Sequence, residues 1–280
     1  MPAAEIAASL AFINWTVLTG LAIGSFAAVV LGLFRTSATK GYLGFVALTS
    51  AAFGLLAWLS DDGVAGGPQF GIWMGPAVEN VWPTVRPVAL GLFSGLALVN
   101  ALGLFWGARS KLVALSGLAV GLLVLVAAAL SWGSGAGAAL LFVQLAVLAA
   151  ATGGVWAAMI LGHWYLVTPK LPEAPLILFA RVLTGVVALQ LGLFIVWVVT
   201  GAGPEGVAGL GALTGSWALF VWLRLVVGIV FPLVVSWAAI QTARTRSMES
   251  ATGLLYINVG TIAAGTILAA GLYFGAGLLV

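Results

Sequence analysis

The sequence predicts an all-α integral membrane protein of about eight transmembrane helices, and three observations carry that reading. Of 280 residues, 63% are hydrophobic and 6% are charged, with a mean hydropathy of +1.22. Soluble domains carry about a quarter charged residues, so lipid must cover most of this surface. Apolar runs of about 20 residues, the length needed to cross a hydrocarbon core, recur eight times. The basic residues fall in alternate loops, as an even number of spans requires.

Taken in order, the spans are expected at 10–34, 41–60, 87–107, 112–132, 138–167, 175–200, 217–241 and 251–278. Each is helical because lipid offers no partner to an unpaired backbone group. Few runs alternate apolar with polar residues, which argues against a β-barrel. The segment Met1 to Ile6 has no basic residue, so the first run reads as a retained span and not a cleaved signal peptide. Arg35, Lys40, Arg109, Lys111, Lys170, Arg244 and Arg246 all fall on one side. The other side holds Asp61, Asp62, Glu79 and Glu205, with Arg86 as its basic residue. By the positive-inside rule the basic side is cytoplasmic and both termini are non-cytoplasmic. Trp15, Trp82, Trp106, Trp132, Trp164 and Trp217 lie near span ends, where indoles prefer the headgroup level. The Ala, Gly, Val and Leu bias points to a prokaryotic plasma membrane.

The chain also matches itself. Val17, Leu18, Gly24, Ala27, Ala28, Leu31, Gly32 and Lys40 recur as Val147, Leu148, Gly154, Ala157, Ala158, Leu161, Gly162 and Lys170, at a constant offset of 130. Ala108 and Arg109 recur as Ala243 and Arg244 at an offset of 135. The expected organisation is therefore a tandem 4+4 repeat of four-helix bundles, 1–134 and 135–280, related by an axis along the membrane normal. The paired glycines serve close helix approach, the main source of helix contact in lipid.

Candidate chemistry lies where the copies differ. Leu33 becomes His163, the one histidine; Phe34 becomes Trp164; Ala51 becomes Arg181. Counted at 1.5 Å per residue, His163, Arg181 and Tyr256 lie roughly 6, 9 and 8 Å inside the cytoplasmic ends of spans five, six and eight. Glu249 precedes span eight, and Asn258 and Gln190 are further polar groups in the same half. His163, Trp164, Arg181, Tyr256 and Glu249 thus form a candidate ligand-binding set, with His163 facing Arg181 across adjacent helices. Plainer roles exist for each: a carbonyl bond for His163, snorkelling for Arg181, and a favourable helix-dipole charge for Glu249. Arg224, roughly 10 Å into span seven from the outer side, is a separate candidate that would pair with Glu79, Glu205 or Asp61. Pro232, two turns later, is expected to kink that span.

Several chemistries are excluded. Without cysteine there is no disulfide, thiolate metal site or iron–sulfur ligation, and one histidine cannot supply a bis-histidine haem. No lysine stands mid-span for a retinal Schiff base, and no carboxylate lies deep in a span for a proton- or cation-coupled relay. Three functions remain. The first is a membrane subunit of an electron-transfer complex offering a quinone a cytoplasmic-leaflet pocket: His163, Tyr256 and Arg181 would bond the carbonyl oxygens, and imidazole would exchange the proton. Redox centres would then come from partner subunits. In layout alone, eight helices in two four-helix bundles resemble the membrane subunits of polysulfide-reductase-type oxidoreductases; no signature motif accompanies that likeness. The second is a transporter or channel for a small anionic or apolar substrate, drawn by Arg181 and Arg224 at opposite leaflets. The third is a structural membrane subunit without chemistry of its own.

Overall fold

The computed structural model describes residues 10–64, 81–133, 135–168, 170–201 and 209–280. They form eight membrane-length apolar helices: α1 (Leu10–Arg35), α2 (Lys40–Leu59), α3 (Trp82–Phe105), α4 (Lys111–Trp132), α5 (Gly135–Val167), α6 (Ala174–Thr200), α7 (Ala218–Arg244) and α8 (Met248–Ala276). Short 3-10 turns at Asp61–Val64 and Gly209–Leu213 follow α2 and precede α7, and no strand occurs among the described residues. The chain is a multi-pass membrane protein. Its exposed surface carries Val88, Leu112 and Val199, each more than two-thirds accessible, which suits lipid and not water.

Span ends follow local chemistry. Thr39 and Ser110 cap α2 and α4 by accepting the amides of Tyr42 and Val113 through their side-chain oxygens. Gly277 ends α8 in the left-handed conformation, φ 67°. The sequence places the third span from 87, yet α3 starts at Trp82. Pro83 is no obstacle in a first turn, where its missing N–H has no helical acceptor.

α1 to α4 pack in a ring, α1 on α2, α2 on α3, α3 on α4 and α4 back on α1. α5 to α8 close a second ring in the same order. The rings meet chiefly through α1 and α5, with α1 also touching α8 and α4 touching α5. Glycine makes that central contact possible. A Cβ on Gly24 would run into the Ala149 carbonyl, and one on Gly153 into the backbone of Gly24 and Ser25. The α1 crossing partner is thus Gly153; Gly154, named by the sequence comparison, has an α6 side chain, Leu183, at 3.9 Å from its Cβ position. Being central, α1 is the most enclosed span, 67% buried in its core window against 33% for α6.

The connections carrying Arg35, Lys40, Arg109, Lys111, Lys170, Arg244 and Arg246 share one end, termed the basic face. Two of them clasp each other there: Lys40 Nζ donates to the Gly107 carbonyl at 2.6 Å, and Arg109 to that of Ala38 at 3.0 Å. The opposite end holds the start of α1 and the end of α8, where Phe12 packs on Phe274 with ring centroids 5.7 Å apart.

Candidate functional site

His163 and Tyr256 do meet. His163 lies on α5, four residues before its end, and Tyr256 on α8, eight residues after its start, so both sit roughly 6–12 Å from the helix ends at the basic face. The Tyr256 hydroxyl is 3.4 Å from His163 Nδ1. Gly162 brings the two helices together: a Cβ there would stand 2.7 Å from Thr252 Oγ1, so its absence lets α8 lie close beside α5. The pair is on the outer surface of the second ring; His163 is exposed and Tyr256 is 48% exposed. Gly253 and Gly260 flank Tyr256 with open space where side chains would stand, leaving a shelf beside the phenol. A bond this long holds neither group tightly, so each keeps capacity for a ligand.

The other sequence candidates separate from this pair. Trp164 turns away, fitting against Gly41 and edge-on to Tyr42 at 6.4 Å, in the seam between the rings. Arg181 does not face His163. α6 packs through Leu176, Phe179, Ala180, Leu183 and Val187, whereas Arg181 projects from the opposite side, exposed and without an ion pair among the described residues. Moreover α6 meets α5 along the Gly154 stripe, where Leu183 lies 3.9 Å from the Gly154 Cβ position, and nine residues of helix put His163 on the opposite side of α5. Glu249 is exposed on the first turn of α8, on the same helix face as Tyr256. It lines a basic-face cavity of about 560 Å³ with Tyr165, Leu166, Arg246 and Ser247. Asn258 is fully buried and donates to Ser236 Oγ at 2.7 Å, and Gln190 is buried within the second ring, so neither extends the surface pair.

No family model, curated protein or solved structure matches this chain. Its site must therefore be read from its own geometry.

Arg224 is buried, and Asp61 is not its partner. Its Nε donates to the Val280 backbone oxygen at 3.2 Å and its Nη1 to the Gly228 carbonyl at 3.0 Å. Glu79 and Glu205 lie outside the described residues. Pro232 explains the second bond. A proline has no N–H for the carbonyl four residues earlier, which here is Gly228, so that oxygen is left for the guanidinium. Where a kink is expected, α7 carries a π-helical turn at Val226–Val230, which ends two residues before the proline.

Sequence reasoning missed a buried ion pair at the opposite end. Asp61 and Arg86, read as loop charges, are 3% and 2% exposed. Arg86 grips the carboxylate through Nε at 2.8 Å and Nη2 at 2.9 Å, and Trp15 Nε1 donates to the same group at 2.8 Å. The guanidinium also stacks over Trp132, 4.7 Å from the ring centroid. Trp15 and Trp132 therefore face inward around this pair instead of lying at the headgroups. The available signal was phase: Arg86 shares a helical stripe with Leu90, Phe93, Ala97 and Ala101, all buried.

Proposed function

We propose that the chain is a membrane subunit of an electron-transfer complex, and that the His163–Tyr256 surface receives the headgroup of a quinone or quinol. The observation that carries this reading is the pairing of an imidazole and a phenol on a lipid-accessible surface instead of in the core. Polar groups facing hydrocarbon are unfavourable unless a partner meets them. A quinone enters sideways from the bilayer, leaves its tail in hydrocarbon and offers two carbonyl oxygens at headgroup depth. Tyr256 donates to one oxygen; His163 donates or accepts the proton that accompanies quinol turnover. Glu249, on the same α8 face nearer the basic end, stands between the pair and the aqueous boundary. The redox centres belong to partner subunits, since one histidine and no cysteine leave this chain without the ligands for a bis-histidine haem or a cluster.

The setting is a prokaryotic plasma membrane with the basic face cytoplasmic, so that both termini are outside and the site opens into the cytoplasmic leaflet. The two rings are then the halves of a tandem duplication. Their identical order of helix packing, and the matching contacts of α1 with α8 and of α5 with α4, support that origin. The transporter reading is less well supported, because Arg181 faces outward and Arg224 is held by backbone oxygens.

A photoreactive azidoquinone with a decyl tail tests the site on the purified chain. Saturable labelling of α5 and α8 near their basic-face ends is expected, weakened about tenfold in His163→Leu and in Tyr256→Phe, the loss of one good hydrogen bond. Labelling that does not saturate, or that both variants leave unchanged, removes the quinone site and leaves the structural-subunit reading.

A further inference from the structure

A second place on the molecule joins a cationic mouth to an apolar groove. At the basic face, between the two rings, a cavity of about 710 Å³ is lined by Phe34, Arg35 and Ser37 at the end of α1 and by Ala174 and Leu178 at the start of α6. Further along the same two helices, a groove of about 260 Å³ runs between Gly24, Ala28 and Leu31 of α1 and Val182 and Val186 of α6, floored by Gly154 of α5. From Arg35 to Gly24, and from Ala174 to Val186, the seam extends roughly 16–18 Å. That is about half of a 30 Å hydrocarbon core, or one leaflet.

The charge at the mouth has one sign. Arg35 is exposed there, and Lys111 Nζ sits 4.7 Å from the centroid of Phe34, a lining ring. Arg181 stands one and two turns beyond Leu178 and Ala174 on the same α6 stripe. Helical side chains lean toward the helix N-terminus, and α6 begins at the basic face, so the Arg181 stem inclines toward the basic end of that stripe. No carboxylate lines either cavity. Glu173, next to Ala174, lies instead 3.8 Å from Arg246.

We propose that this seam binds one anionic phospholipid, its phosphodiester between Arg35 and Arg181 and one acyl chain in the α1–α6 groove. The groove favours a chain over a helix, because a transmembrane helix with its side chains is about 10 Å across and too wide for it. It equally disfavours a soluble anion, which would leave the apolar length empty. The site is separate from the His163–Tyr256 surface and does not depend on quinone binding.

Native mass spectrometry of the detergent-purified chain, with phosphatidylglycerol and phosphatidylcholine of identical acyl chains, decides the matter. One phosphatidylglycerol should be retained with at least about tenfold preference. Arg35→Gln and Arg181→Gln should each weaken retention about fivefold and together about 25-fold, as for basic side chains at a membrane surface. Arg181→Lys, which keeps the charge, should hold most of the preference. Ala27→Leu, which fills the groove and leaves every charge in place, should also weaken retention. Millimolar inorganic phosphate should not displace the lipid. Equal retention of both lipids, unchanged selectivity in the doubly substituted chain, or displacement by inorganic phosphate would each overturn the proposal.

Discussion

Removing Asp61 should unfold the first ring more readily than any single apolar truncation there. Its carboxylate accepts two bonds from Arg86 and one from Trp15, all between 2.8 and 2.9 Å. In Asp61→Ala the guanidinium stays buried at 2% exposure with its charge intact, since arginine does not shed its proton in proteins. Breaking a buried pair in this way costs about 3–5 kcal/mol. The orphaned Trp15 N–H adds about 1 kcal/mol. Arg86→Met should be milder, because an isolated carboxyl can be neutralised by a proton. The double variant Asp61→Ala/Arg86→Met removes both charges together and should return to within about 1–2 kcal/mol of the parent, because apolar replacement of a whole buried pair is often neutral. Reversible unfolding in mixed micelles, followed by tryptophan fluorescence, measures all four proteins; Trp15 and Trp132 report directly from the pair. A loss below about 1 kcal/mol in Asp61→Ala, or strict additivity of the two single changes, would show that the pair is not the electrostatic lock drawn here.

Further expectations follow from the glycines. Gly24→Ala should lower the yield of folded protein sharply, because the added methyl meets the Ala149 carbonyl at the centre of the molecule, whereas Gly95→Ala, with open space around it, should not; size-exclusion profiles in detergent separate the two. Gly162→Ala should push α8 away from α5 through Thr252 and weaken azidoquinone labelling without altering either polar residue. Gly253→Ala adds the same methyl into open space beside Tyr256 and should leave labelling within about twofold of the parent.

What the sequence reveals here is depth, and what it conceals is azimuth. Depth comes from counting residues at a fixed rise, so His163, Tyr256 and Arg181 are correctly placed near the basic-face ends of their helices. Azimuth is normally read from the contrast between apolar and polar faces, and lipid erases that contrast by making the outward face as apolar as the core. Arg181 shows the consequence. Its level matches His163, yet it points away because the α6 packing stripe runs through Leu176, Phe179, Leu183 and Val187. Arg86 shows the reverse: a prolyl start hid the first turn of α3, and the stripe with Leu90 and Phe93 would have turned it inward.

Azimuth in this protein is written in glycine. Gly24 and Gly153 fix how α1 lies on α5, and Gly162 fixes how α8 lies on α5, each by the side chain it lacks. Once Gly162 draws Thr252 close, Tyr256, one turn further along α8, falls within reach of His163, the residue after Gly162. The polar pair is then a consequence of a packing contact one residue away, and its geometry should track that contact more closely than its own exposed hydrogen bond. Tyr256→Phe and Gly162→Ala distinguish the two. The first removes a donor while leaving the helices in place; the second keeps both polar groups and moves one helix. If α5–α8 spacing, not the phenol alone, sets the site, Gly162→Ala should weaken azidoquinone labelling at least as much as Tyr256→Phe.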